Sequence, residues 1–268
     1  MTQQTRYVIR GGVEGRERLR ILARLMRPAA LDLLTRTGIR TGMTCLDVGC
    51  GGGDLTFDLA RMVGSMGRVV GTDIDETKME LARQEAAAQQ LTNVEFHVAD
   101  IAHYEPEPEF DRVHARFLLT HLPDPQAALA KMWRALRPGG MVIVVDIDFR
   151  GYFSHPDCAA LARYVDLYTR TVERRGGDAN IGPRLPALLS GAGFENVQMN
   201  LVQMAGLTGD VKLMSPLTME NIADAVITEG FATAEQVDGI VAELYEFART
   251  PGTIASSPRF VEAWATKS

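Results

Sequence analysis

The sequence predicts an α/β fold: a doubly wound, mostly parallel sheet, with helices before its first strand and a helical insertion before its last. Three observations predict it. An apolar run, Met43 to Val48, enters a cluster of glycines (Gly49, Gly51, Gly52, Gly53), and a helical pattern leaves it with Leu55, Leu59, Met62 and Val63 on one face. Further strand-like runs at 67–73, 93–100, 110–116 and 141–146 alternate with helical patterns. Residues 205–255 are helical by pattern and precede a last strand-like run at 259–265.

The bulk numbers suit that class. The chain has 268 residues, 46% hydrophobic and 23% charged, as in an ordinary globular protein. A net charge of −6 and a pI near 5.5 argue against nucleic acid as the main partner, because that binding rests on neutralising phosphates. The N-terminal arginines (Arg6 to Arg27) alternate with apolar residues at helical spacing and read as a solvated helix face. Three cysteines, Cys45, Cys50 and Cys158, form no C-x-x-C pair, so neither a disulfide framework nor a zinc site is expected, and no metal. No apolar run is long enough to span a membrane and no N-terminal signal is visible. The expected compartment is the cytoplasm.

Residues 14–26 read as an amphipathic helix through Leu19, Leu22, Ala23 and Met26; Pro28 interrupts it, and 29–37 reads as a second. The turn after the first strand brings a helix N-terminus, glycine backbone and two acids together. A dinucleotide fingerprint wants a glycine where Asp54 stands. Asp54 and Asp47 place negative charge there, which favours a ligand with a positive group and disfavours a pyrophosphate. The second strand ends at Asp73, twenty residues beyond Gly53, where a carboxylate can accept from both ribose hydroxyls. Asp75 suits an N-cap, and Ile74 and Met79 follow; Met79 either packs in the core or touches a base.

D-x-G-x-G-x-G at 47–53 resembles motif I of the class I S-adenosylmethionine-dependent methyltransferases. The run 110–125, F-D-x-V-x-A-R-x-x-L-x-H-L-P-D-P, followed by L-R-P-G-G, resembles the core of a bacterial family of small-molecule methyltransferases of that class; with motif I it covers about 45–150. The resemblance implies a Rossmann-like fold of seven strands, the last antiparallel at an edge. It implies S-adenosyl-L-methionine (AdoMet) as cofactor, with S-adenosyl-L-homocysteine as product. It implies a loop of Asp47, Gly49, Cys50 and Gly51 around the methionine half, Asp73 on the ribose, and Asp100 and Ile101 on the adenine. Ala115 and Arg116, at the end of strand four, are expected at the methyl end. His121 faces either the substrate pocket or the helix interior. It is the candidate catalytic base, since an unperturbed imidazole titrates near neutrality. Tyr7, Tyr152, His155 and Arg184 are candidate substrate contacts, and Met199, Met204, Met214 and Met219 would suit an adaptable apolar pocket.

The expected division is a helical lid at 1–40, an AdoMet-binding core at 41–204, a helical substrate cap at 205–257 inserted between strands six and seven, and a last core strand at 258–268. The expected function is methyl transfer to a small, largely apolar molecule by in-line displacement, with no nucleic-acid partner; a homodimer is left open. The alternatives are an NAD(P)-dependent oxidoreductase, opposed by Asp54 and by the lack of a Y-x-x-x-K pair, and a non-catalytic AdoMet-binding protein.

Overall fold

The computed structural model describes Ile9, residues 12–105 and residues 107–268, except for the side chains of 12–14 and 17. In chain order the elements are α1 (Gly12–Arg36), β1 (Thr44–Val48), α2 (Asp54–Val63), β2 (Arg68–Asp73), α3 (Glu76–Ala88), β3 (Val94–Val98), β4 (Phe110–Arg116), α4 (Pro125–Ala135) and β5 (Leu136–Asp148). There follow β6 (Ser154–His155), α5 (Ala159–Arg174), α6 (Leu185–Gly191), β7 (Glu195–Val202), β8 (Ala205–Gly206), α7 (Asp210–Thr228), α8 (Ala234–Arg249), β9 (Ile254–Ser256) and β10 (Arg259–Thr266).

The main sheet runs β3-β2-β1-β4-β5-β10-β7. β1 to β5 pair in parallel, and β10 lies antiparallel to both β5 and β7. The last strand is therefore antiparallel as expected, but it is not the edge: β7 is. A small second sheet, β6-β9-β8, was not foreseen, because strands of two or three residues leave no periodicity to read.

Strand alternation divides the interior in two. Cys45, Val69, Ile143, Val145 and Ile147 face a core shared with α1, α2, α5, α7 and α8. Leu46, Val48, Val70, Val113, Ala115 and Val144 face the opposite core with α4 and α6. The helices begin where the side chains ask them to. Asp75 accepts from the Lys78 amide at 3.1 Å, Asp124 from the Ala127 amide at 2.9 Å with Pro125 at the first helical position, and Thr233 and Gln236 close a reciprocal capping box.

Two helical expectations change. α1 is one helix, not two: Leu22, Met26, Ala30, Leu33 and Leu34 stay buried across Pro28, so packing outweighs the lost amide donor. The run read as helical at 205–255 does not begin as a helix: it opens on β8, and α7 starts at Asp210 with Pro216 inside it. The arginine series of α1 is also not one solvated face, since Arg16 and Arg18 are only 3% and 8% exposed.

Candidate active site

The chain after β1 turns sharply through Gly49 (φ 69°), Gly51 (φ 58°) and Gly53 (φ 82°), a backbone region that side chains rarely enter. α2 starts at Asp54 directly after it, so its first amide groups face the turn. The turn is braced from the next strand: Asp73 Oδ2 accepts from the Gly51 amide at 2.9 Å, and Oδ1 accepts from the Asp75 amide at 3.0 Å. Each Asp73 oxygen keeps a further lone pair, and the side chain lines the cavity.

A cavity of about 110 Å³ lies between the carboxyl ends of the strands and the helices α1, α5 and α7. This is where an open α/β sheet binds its ligands. Asp47 reaches it from β1, almost fully buried, with Oδ2 accepting from Thr56 Oγ1 at 2.7 Å and Oδ1 2.9 Å from His114 Nδ1. β1 and β4 pair Asp47 with His114 and Val48 with Ala115, so His114 and Arg116 share the cavity face and Ala115 does not. Burial lowers the Arg116 pKa, offset by Asp47, Asp54 and Asp58. Phe117 follows with φ 55°, unusual for a non-glycine residue, and its ring packs 5.2 Å from that of Phe260.

The opposite wall is aromatic. Phe149 stacks on Tyr168 at 3.9 Å, and Tyr152 stands edge-on to Phe149 and to Tyr164. α1 closes the cavity from above. Arg16 lies across Gly52, donates to Asp54 Oδ2 at 2.6 Å and to Glu85 at 2.8 Å, and so bridges α1 to α2 and α3. Asp54 therefore does not stand as a bare negative charge against a pyrophosphate: Arg16 offsets it.

Of the residues singled out from sequence, Asp47, Gly49, Cys50, Gly51, Asp73, Arg116, His121 and Tyr152 line the cavity together. Burial holds the Cys50 thiol well above its usual range, so it stays protonated and fills space beside the Met79 sulfur. Met79 is fully buried among Phe57, Ala82 and Phe96; its core reading is the one the structure takes. Ala115 and Ile101 are core residues of the opposite face. Asp100 lies outside the cavity, at the tip of β3, where Oδ1 accepts from the Ala102 amide at 2.9 Å. Ile74 and Val98 stand 45% and 48% exposed near these tips, an apolar surface that a flat base would cover.

Three substrate candidates fall elsewhere. His155 is exposed on the small sheet, paired with Ile254. Arg184 points outward to Asp178 at 2.7 Å. Tyr7 lies outside the described residues. Of the four methionines only Met214 lines the cavity; Met219 is core and Met199 is half exposed on β7. His121 does not titrate near neutrality here: burial, then the charges of Arg18 and Lys78, push it down to about 3.

Sequence reasoning missed His114, Thr56, Arg18, Lys78, Phe149, Tyr164 and Tyr168. Period-two alternation from Arg116 would have found His114. Nothing in the sequence announces which face of α1 or α5 meets the cavity.

A family described as "Methyltransferase domain" matches residues 39–174, half of the chain. The chain is 33% identical to the ubiquinone/menaquinone biosynthesis C-methyltransferase UbiE of Enterobacter sp. (strain 638), covering 60% of this chain and 70% of that one. It is 34% identical to the enzyme of the same name from Marinomonas sp. (strain MWYL1), covering 51% and 53%. Across most such curated relatives the chain spans about half of their length. The fold also matches the crystal structure of a putative methyltransferase from Bacillus halodurans, with a TM-score of 0.61 at 19% identity over 89% of this chain and 98% of that one. No helix among the described residues is long and apolar enough to cross a membrane. With the glycine turn, the acidic strand tips and the strand order already in place, these matches settle the lineage: the chain belongs to the class I S-adenosylmethionine-dependent methyltransferases.

Proposed function

We propose that this protein transfers a methyl group from AdoMet to a small, largely apolar acceptor. The observation that carries the reading is the meeting of the glycine turn with Asp47 and Asp73 at one cavity, in a chain of this family. The relatives' names as C-methyltransferases support carbon as the acceptor atom.

The residues present fit the cofactor. Asp73 has acceptor capacity left for a ribose diol, and Ile74 and Val98 offer an apolar seat with Asp100 at its edge. Gly49, Gly51 and Gly52 bring the backbone of the turn to the cavity wall, with Asp47 behind it for an ammonium group. When bound, AdoMet supplies an electrophilic methyl on a sulfonium. The chain's own part is to hold acceptor and donor in line and keep water out, and such alignment contributes roughly 7–11 kcal/mol in favourable cases. Arg116 faces the acids of the turn and is suited to the cofactor's carboxylate.

If the acceptor loses a proton, we infer that His114 is better placed than His121 to take it. Asp47 orients the His114 ring through Nδ1, which leaves Nε2 for a further partner, and the ring lines the cavity. His121, pushed down to about 3, is a neutral but weak proton acceptor. We further propose that α1 acts as the lid, and that α5 joins α7 and α8 in the substrate cap, so that the cap extends beyond the insertion at 205–257. Three free cysteines support a reducing, cytoplasmic location.

Calorimetric titration with AdoMet and then NAD tests the cofactor, and release of S-adenosylhomocysteine with a panel of phenols, naphthols and isoprenoids tests the transfer. Binding of AdoMet without turnover on any acceptor would favour a non-catalytic binding protein; binding of NAD alone would overturn the proposal.

A further inference from the structure

The arginines of α1 form a matched series with one exception. Arg16 pairs with Asp54 and Glu85, Arg20 with Glu85, Arg24 with Asp210, Arg27 with Asp58, and Arg36 with Asp32 and Glu262. Arg18 has no carboxylate within ion-pair distance among the described residues. It is 8% exposed, it lines the cavity, and its hydrogen bond is from Nε to Thr218 Oγ1 on α7 at 3.1 Å. A cation withdrawn from water without a counter-charge is costly.

Arg116, also in the cavity wall, feels Asp47, Asp54 and Asp58, whereas the charge of Arg18 falls on His121, Tyr152 and Tyr164. Of the cavity's cations, Arg116 thus answers to the acids of the glycine turn, and Arg18, held by Thr218 on α7, to the aromatic wall. Tyr164 lines the same cavity and feels the charge of Arg18; its hydroxyl is fully buried and makes no hydrogen bond of good geometry, although Tyr152 is near. Among the described residues, a buried hydroxyl with Tyr152 as its one polar neighbour of note and a buried cation without a carboxylate both line this cavity.

We propose that Arg18, together with the Tyr164 hydroxyl, is an oxyanion site for the methyl acceptor. The acceptor is then a planar, largely apolar molecule carrying an ionised oxygen, a carboxylate, phenolate or enolate, with its ring against Tyr152 and Phe149. The inference rests on the methyltransferase reading and deepens it, since it names the charge of the acceptor and the residue that selects it. Because Thr218 on α7 holds the same guanidinium, the bound anion also ties α1 to α7.

The probes are 1-naphthoate and its neutral isostere 1-naphthamide, titrated calorimetrically into protein saturated with S-adenosylhomocysteine. The wild type is expected to bind the carboxylate about tenfold more tightly. Arg18→Met is expected to abolish that preference while leaving S-adenosylhomocysteine affinity within about threefold, and Arg18→Lys to retain part of it. Thr218→Val, which leaves the charge but removes its support, gives an intermediate preference and covers the case in which Arg18→Met does not fold. Equal binding of the two probes to the wild type overturns the proposal, and so does a preference that survives in Arg18→Met. A tenfold or greater loss of S-adenosylhomocysteine affinity in Arg18→Met with the probe preference intact also overturns it, and assigns the guanidinium to the cofactor's carboxylate. Failure of the wild type to bind S-adenosylhomocysteine at all would instead sink the methyltransferase reading, and this one with it.

Discussion

Replacing Asp73 by alanine puts the cofactor assignment at risk most directly. The carboxylate is half-buried at the end of β2, and each of its oxygens already holds one backbone amide, from Gly51 at 2.9 Å and from Asp75 at 3.0 Å. The proposed ribose contacts use the lone pairs that remain. A hydrogen bond to a charged acceptor contributes about 1.5–3 kcal/mol, and partial exposure places these near the lower end. Two such bonds amount to about 3 kcal/mol, so the Kd for S-adenosylhomocysteine should rise roughly 100-fold. Adenosine should lose affinity by a similar factor, because the contact is to the sugar and not to the amino-acid end. The same substitution frees two amides of the loop, which should lower Tm by a few degrees without ligand; reading Tm alongside calorimetry separates a loosened turn from a lost contact. Unchanged S-adenosylhomocysteine affinity in a folded Asp73→Ala protein would refute the reasoning.

Other expectations follow from the neighbouring contacts. A Cβ on Gly52 would lie 2.5 Å from the Arg16 guanidinium, so Gly52→Ala should displace Arg16 from Asp54. Hydrogen exchange of α1 should then rise, and should rise likewise in Arg16→Ala; an unchanged exchange pattern would show that the pair does not hold the helix down. His121, lowered to about 3, stays neutral through the physiological range. Initial rates of His121→Gln should therefore keep the wild-type pH profile between about pH 6 and 8, and a lost limb near 6.5 would restore His121 as a titrating base. Burial also pushes the fully buried Asp146 carboxyl up from 3.8 to about 7, against the amides of Thr120 and Ile147 that favour its ionised form. A raised native pKa means that the native state binds this proton more tightly than the unfolded chain does. That stabilisation is complete below about pH 4 and is lost as pH rises through 7, a change of roughly 4 kcal/mol at most. Asp146→Asn should flatten the Tm-versus-pH curve in that window; a wild-type Tm level across it would count against the shift.

Much of the fold was legible because its signals are local. The glycine turn, the caps at Asp75, Asp124 and Thr233, and the alternation of strands with helices each need only a few neighbouring residues. What escaped is set by residues far apart in sequence. Pro28 ends a helix by local rule, yet Met26 and Ala30 pack on both sides of it and carry α1 through. The place of β10 inside the sheet depends on β5 and β7, not on its own residues. At the site, the sequence drew attention to Ala115, Met79 and Ile101, which pack in the cores beneath it. His114 was one step from a named residue and on the correct face. Arg184 was a candidate substrate contact, but Asp178 holds it outside. Tyr164, Tyr168 and Arg18 come from helices whose rotation about their own axes is fixed only by tertiary contact.

The position of β10 bears on how the protein is made. On a ribosome, β5 and β7 emerge first and each keeps a row of unsatisfied amides and carbonyls toward the other until residues 259–266 arrive to fill the gap. Final closure of the sheet is thus a late, non-local event, and the nascent chain passes through an interval with two sticky borders.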